Sequence, residues 1–431
     1  MNTIMKKALA INGGKPVRTK LFPAYLTIGE EEKEAVNRVL DSGILSRYLG
    51  VWGDDFYGGP EVQAFEKEWA AYFGVKHAIA VNSATTGLQA ALGAVGVSAG
   101  DEVIVSPYTM SASAVAPLWY GATPVFADIE QDYLCLDPRS VEERITKKTK
   151  AVVVVDLFGQ PYDRDALRAI AKKHRLTIVE DAAQAPGAKH KGAYAGTLGD
   201  IGVFSLNYHK HIHTGEGGVV VTDNDALAER IRLIRNHAES VVEKKGVADL
   251  VNMVGSNFRM TEIGATIGRA QLLKLEGLNE KRIHNANYLA RHLVVPGISF
   301  APARPGSTHV YYQQALFYDE KKVGVSRDVF IRAVKAELPE TALREGHGPL
   351  IGGGYVKPLY LLPLFQKRAF LGGQTLSERR YERGLCPVAE DMHMKVLITH
   401  EFMHSFMKKR DLDDVIAAFE KVYKHRSELT P

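Results

Sequence analysis

Between residues 60 and 222, short apolar runs alternate with longer stretches whose apolar residues recur every three or four positions. Seven runs read as strands: "HAIAVN" (77–82), "EVIVS" (102–106), "TPVFAD" (123–128), "KAVVVVDLF" (150–158), "LTIVED" (176–181), "IGVFSL" (201–206) and "GGVVVTD" (217–223). The segments "GLQAALGAV" (87–95), "RDALRAIAKKH" (164–174) and "DALAERIRLIRNH" (225–237) carry helical spacing. β-Branched strands with few polar interruptions must be covered on both faces, which means helices on either side of a mostly parallel sheet. Too few residues separate the last two runs for a helical crossover, so an antiparallel pair is expected there. Ligands bind such sheets beyond the carboxyl ends of the strands. The stretches to weigh are therefore 82–87, 106–110, 156–161, 181–186 and 205–218.

A chain of 431 residues exceeds one ordinary domain. After a long helical stretch near 259–292 the composition changes, with "PGISFAPARPGSTHVYYQQALFY", helical "SRDVFIRAVKAEL", a Gly-rich loop at 346–354 and a final amphipathic "DLDDVIAAFEKVYKH". The expected architecture is α/β: a large domain (25–293) with a seven-stranded, mostly parallel sheet between helices, and a smaller α+β C-terminal domain (294–431). Residues 1–24 are expected to form an arm associated with the small domain.

Charge and cysteine content narrow the function classes. The net charge of +4 is spread without any basic block or aromatic-interleaved stripe, which disfavours nucleic acid. Cys135 and Cys386 are far apart and in no metal-binding pattern, so neither a disulfide framework nor a zinc ribbon is expected. The apolar patch in "MNTIMKKALAINGGKPVR" is too short for a secretory core, and no run reaches membrane-spanning length. A cytoplasmic protein is expected.

Four strand ends carry chemistry. "NSATTGLQAAL" runs small and hydroxylated residues into a helix, which makes either an anion site or an ordinary N-cap. "SPYTMSAS" sets Tyr108 at the same edge, either as cover for a planar ligand or as packing. "VEDAAQAPGA" ends a buried strand in Asp181, a carboxylate that needs a partner, beside small alanines and the amide of Gln184. Ser205 ends the sixth strand, and Lys210 follows in a loop before "GEGG". A desolvated lysine is a nucleophile toward carbonyls. Together these supply a phosphate anchor, an aromatic cover, a carboxylate for a ring nitrogen and a reactive amine, the set that pyridoxal phosphate requires.

Several segments resemble the nucleotide-sugar aminotransferases (DegT/StrS-like) among the fold-type I pyridoxal-phosphate enzymes. They are "INGGKPVR" (11–18), "GGPEVQAFEKEWAAYFGVKHAIAVNSATTGLQAAL", "AGDEVIVSPYT", "DLFGQPYD", "VEDAAQAPGA", "GTLGDIGVFS", "TGEGGVVVT" and "SNFRMTEIGATIGRAQL" (256–272). The spacing of Ser205 and Lys210 before Gly-Glu-Gly-Gly is the most specific mark. The resemblance implies an aspartate-aminotransferase-like fold with pyridoxal 5'-phosphate as cofactor. It implies an internal aldimine on Lys210, and a pyridoxamine phosphate form within the cycle. Asp181 would hold the pyridine nitrogen, and Gln184 would meet the phenolic oxygen. Tyr108 and Ala183 would cover the two ring faces, while Thr85, Thr86 and Ser205 hold the phosphate. Asn257 would reach the phosphate of a neighbouring subunit, making a homodimer with shared sites. The implied reaction moves an amino group from L-glutamate or L-glutamine to a keto-sugar, nucleotide-linked in most of the family, with a keto-cyclitol such as scyllo-inosose as the alternative. "ESVVEKKGVADLVNMVG" (239–255) reads as a mobile loop, and "EGHGPLIGGGYVKPLY" (345–360) as a shaper of the substrate pocket.

Three other readings compete. A sugar dehydratase on this fold carries histidine where Lys210 stands, and His209 is one residue out of that register. A cofactor-binding regulator would have no need of the lysine and aspartate. A nicotinamide dehydrogenase would require Gly-x-Gly-x-x-Gly at the first strand–helix turn, which is lacking. His209, His211 and His213 alternate as zinc ligands on a strand do, but no Cys, Asp or Glu flanks them to close a site, so no metal is expected.

Overall fold

The computed structural model describes residues 7–339, 350–368, 370 and 380–429. Residues 1–6 of the arm and 345–349 of the Gly-rich stretch lie outside them. The large sheet has seven strands: β1 (His77–Val81), β2 (Glu102–Val105), β3 (Thr123–Phe126), β4 (Thr149–Val155), β5 (Thr177–Asp181), β6 (Ile201–Ser205) and β7 (Gly218–Thr222), in the order β1-β7-β6-β5-β4-β2-β3. The pairs among β2 to β6 are parallel, whereas β7 runs antiparallel to both β6 and β1, as the short 206–217 connection requires. Ala151 to Val155 are buried on both faces of β4, worth roughly 1.5–3 kcal/mol for each fully buried valine.

Helices Ala84–Val95, Arg164–His174 and Asp225–Arg235 cover the sheet close to the expected spans. The 259–292 stretch is two helices, Glu262–Leu272 and Leu275–His292. The Lys274 amide bonds Gln271 O three residues back, a tighter turn than the helical ladder, and its Nζ reaches Glu32 at 2.7 Å. Periodicity sees no break there because the apolar spacing continues across it. Residues 239–255 contain a helical turn, Val242–Lys245, with Lys245 paired to Glu229.

The smaller domain has a four-stranded antiparallel sheet: β8 (Ile298–Phe300), β9 (Gln314–Tyr318), β10 (Ile351–Gly353) and β11 (Leu397–His400), ordered β8-β9-β11-β10. Leu9 and Phe22 of the arm are buried in its core with Phe330 and Phe419. Arg18 lies between Asp411 (2.7 Å) and Asp414 (2.8 Å). We propose the division into arm, large and small domains at 24/25 and 293/294 on this packing. One segment crosses it: Tyr360, Phe365 and Tyr381 surround Phe126 at ring distances of 5.6, 5.2 and 5.5 Å. Asp128 accepts from the amides of Val388 (2.9 Å) and Ala389 (3.0 Å). The chain therefore returns to the edge of the large sheet after leaving it. Among the described residues no helix is long and apolar enough to cross a membrane. Cys135 and Cys386 are both free and buried.

Candidate active site

Beyond the carboxyl ends of β1, β5 and β6 lies a cavity of about 180 Å³. Its walls include Ser83, Thr85, Asp181, Gln184, Ser205 and Lys210, with Ala183 beside Asp181. Thr109, Met110 and Val155 complete the wall, so five separate stretches of sequence meet at one sheet edge, because the parallel topology turns every βα connection to the same side.

The helix Ala84–Val95 opens against this cavity. Ser83 caps it, its hydroxyl oxygen accepting from Thr86 N at 3.2 Å, and the first helical bond runs from Gly87 N to Ser83 O. The amides of Ala84 and Thr85 precede that bond, leaving donors and the positive helix end for an anion. Thr85 is exposed on the rim. The Thr86 hydroxyl bonds instead to Asn82 Oδ1 at 2.7 Å, which ties the strand end to the helix start, and Thr86 is not among the lining residues.

Asp181 ends β5 with only 5% of its surface exposed. Ser113 Oγ donates to Oδ2 at 2.6 Å and the Ala183 amide to Oδ1 at 3.1 Å, so each oxygen keeps a lone pair for another donor. Burial pushes this carboxyl above its ordinary pKa, while the two donors and the Lys210 charge pull it back. Lys210 is 8% exposed, and its Nζ stands 4.3 Å from the centroid of the Tyr312 ring. An aromatic face at this distance attracts an ammonium. Gln184 Oε1 accepts from Phe158 N (2.7 Å), and its Nε2 donates to the Tyr355 hydroxyl (2.9 Å).

Besides Thr86, two more expected residues sit off the cavity. Tyr108 is fully buried, its hydroxyl accepting from Tyr355 N at 2.8 Å, and the next residues, Thr109 and Met110, form the wall. Asn257 is exposed, with Oδ1 accepting from Arg259 Nε at 2.8 Å. The three histidines serve different neighbours. His209 lines the cavity, His211 Nε2–H donates to Val310 O (3.1 Å), and His213 Nδ1 accepts from Gly215 N (3.3 Å). Burial, reinforced by Arg282, holds the His211 pKa well below the usual imidazole range, so its ring is neutral. Among the described residues no three His, Cys, Asp or Glu side chains converge on a metal position.

The model of the DegT/DnrJ/EryC1/StrS aminotransferases matches residues 26–420. The chain belongs to this aminotransferase family. It is 35% identical over 405 residues to the spore coat polysaccharide biosynthesis protein SpsC of Bacillus subtilis (strain 168), covering 92% of this chain and 95% of that one. It is 34% identical to an L-glutamine:2-deoxy-scyllo-inosose aminotransferase of Micromonospora echinospora, over 98% of this chain and 99% of that one. Among solved structures, DesI in the presence of its TDP-sugar product superposes with a TM-score of 0.79 at 29% identity, covering 98% and 97% of the two chains.

Ser113, Tyr312 and Tyr355 touch Asp181, Lys210 and Gln184, and no motif or spacing singles these three residues out. Ser113 lies eight residues past its strand, and the two tyrosines come from beyond residue 293, where spacing says nothing about the large sheet. One glycine of this aminotransferase has a specific task. A Cβ on Gly218 would come within 2.6 Å of the Ser83 carbonyl carbon and 2.7 Å of Ala84 N. Gly218→Ala is expected to lower stability by roughly 1–3 kcal/mol through overpacking, and to weaken anion binding at the helix start. Urea unfolding with phosphate titration checks both.

Proposed function

We propose that the protein transfers an amino group from L-glutamate or L-glutamine to the keto carbon of a sugar, nucleotide-linked, using pyridoxal 5'-phosphate carried on Lys210. One observation bears most of this reading: Lys210 and Asp181, both almost fully buried, face a single cavity opposite a helix start with unused amides. The donor set fits the cofactor. There is an amine, a carboxylate with lone pairs to spare, and amides and hydroxyls suited to a phosphate.

When bound, the cofactor supplies an electron sink for the charge left when a proton leaves the carbon that bears nitrogen. Lys210 Nζ would hold the group in place and, once released from it, carry that proton between the substrate carbon and the cofactor carbon on the other side of the nitrogen. Asp181 would keep the ring nitrogen protonated through a charge-assisted hydrogen bond. Gln184 would offer an N–H to the phenolic oxygen, and Ala183 leaves room for a flat ring. Thr85, Ser205 and the amides at the helix start would bind phosphate. Thr86 supports that cradle through Asn82, and Tyr108 backs the wall behind the ring. Exposed Asn257 is available to the phosphate of a second copy, so we read the active unit as a homodimer, working in the cytoplasm.

A second reading, a keto-cyclitol acceptor, is supported by the likeness to the deoxy-scyllo-inosose aminotransferase across almost the whole chain. The test supplies loaded protein with glutamate or glutamine bearing a heavy α-amino nitrogen, and offers a nucleotide-linked keto-sugar or a keto-cyclitol. Label in one acceptor class selects that reading. No label in either class from either donor overturns both.

A further inference from the structure

The glycine-rich stretch expected to shape the substrate pocket does something more specific in its described part. β10 ends at Gly353, and Gly354 turns the chain at φ +70°, with its amide on Leu397 O (2.7 Å) and its carbonyl accepting from Thr399 Oγ1 (2.9 Å). A Cβ there would also stand 2.5 Å from His393 Nδ1, so glycine is required twice over. The turn delivers Tyr355 to the large domain's sheet edge, and Leu359 N then donates to Pro107 O at 2.8 Å.

Tyr355 meets three strand ends at once. Its amide donates to Tyr108 Oη, and its hydroxyl accepts from Gln184 Nε2. Its ring stands edge-on to Phe158 at 5.0 Å and to Tyr108 at 6.2 Å. These contacts decide which way the Gln184 amide faces. Phe158 N can only donate, so it fixes Oε1, and Tyr355 takes one hydrogen of Nε2. The second Nε2 hydrogen remains for the cavity.

We propose that Tyr355 is a positioning residue of the cofactor site: brought in from the small domain, it locks the Gln184 amide so that an N–H is presented to the cofactor's phenolic oxygen. This rests on the pyridoxal-phosphate reading above. Held by Phe158 alone, the amide would be free to rotate about its remaining bond, and the donor would be offered for only part of the time. The role is distinct from packing, because Tyr355→Phe keeps the ring, the Tyr108 contact and the Gly354 turn, and removes only the hydroxyl.

The experiment measures pyridoxal 5'-phosphate affinity and the visible absorption spectrum of wild type, Tyr355→Phe, Gln184→Leu and the double variant, with urea unfolding of each apo-protein as the folding control. Tyr355→Phe is expected to raise the dissociation constant about fivefold to tenfold, the size of one lost hydrogen bond, and to shift the band governed by the phenolic oxygen. In the Gln184→Leu background the same change should have little further effect, since its partner is gone. An unchanged affinity and spectrum in Tyr355→Phe would overturn the proposal, as would equal effects in the two backgrounds. Wild type that takes up no cofactor would instead overturn the reading beneath it.

Discussion

Lys210→Ala is expected to abolish the yellow colour of the cofactor-loaded protein and to lower transamination about 10²- to 10⁴-fold, the usual worth of a positioned acid–base group. Among the described residues no other ammonium lines this cavity, and the His209 imidazole, which does line it, forms no imine with a carbonyl. Removing the side chain also empties the space beneath the Tyr312 ring rather than disturbing the sheet, because Lys210 lies in the loop after β6. The apo-protein should therefore unfold at a urea concentration close to that of wild type. Stopped-flow absorbance with an amino donor, alongside the unfolding curve, separates a chemical defect from a folding one.

Asp181→Asn is expected to be nearly as severe, for a different reason. The carboxylate offers an oxygen to Ser113 Oγ and another to Ala183 N, and both partners are donors. An asparagine amide can keep the Ala183 bond on its oxygen and donate its NH₂ to Ser113 Oγ, since a hydroxyl also accepts, so the variant removes the charge while leaving the local bonds satisfied. A buried, hydrogen-bonded charge that loses its counterpart costs about 2–5 kcal/mol, roughly 30-fold to several-thousand-fold in dissociation constant. Equilibrium dialysis of pyridoxal 5'-phosphate reads the affinity. The first half-reaction should slow as well, because a neutral amide does not hold a proton on the ring nitrogen. Binding and rate equal to wild type would mean that Asp181 serves the sheet edge alone.

Much of this was legible in the sequence, for physical reasons. The valine-rich run at 150–155 has to be covered on both faces, and that alone implies a parallel sheet with helices on either side. The short 206–217 connection forces the antiparallel return of β7. Lys210, Asp181, Gln184 and Ser205 meet because each ends a strand or follows one closely, so their positions along the chain translate directly into one edge of the sheet.

What stayed hidden depends on long-range packing. The return of Tyr360, Phe365, Tyr381, Val388 and Ala389 onto Phe126 and Asp128 leaves no trace in spacing, since these apolar residues look like those of any small-domain core. The break before Leu275 is invisible because helical periodicity runs through it. Tyr108 and Thr86 illustrate a finer loss. Both sit at the expected edge, yet one residue's rotation along the chain turns Tyr108 into the core and gives the wall to Thr109 and Met110. Thr86 spends its hydroxyl on Asn82, which a sequence rich in hydroxyls could not distinguish from a phosphate contact.

The most direct measurement is the visible absorption spectrum of the purified protein loaded with pyridoxal 5'-phosphate, before and after L-glutamate or L-glutamine. A yellow band that gives way to the amine form of the cofactor with at least one donor, and that never develops in Lys210→Ala, is the expected result. A yellow band that no donor moves, or a protein that binds no pyridoxal phosphate, would contradict an aminotransferase working through Lys210.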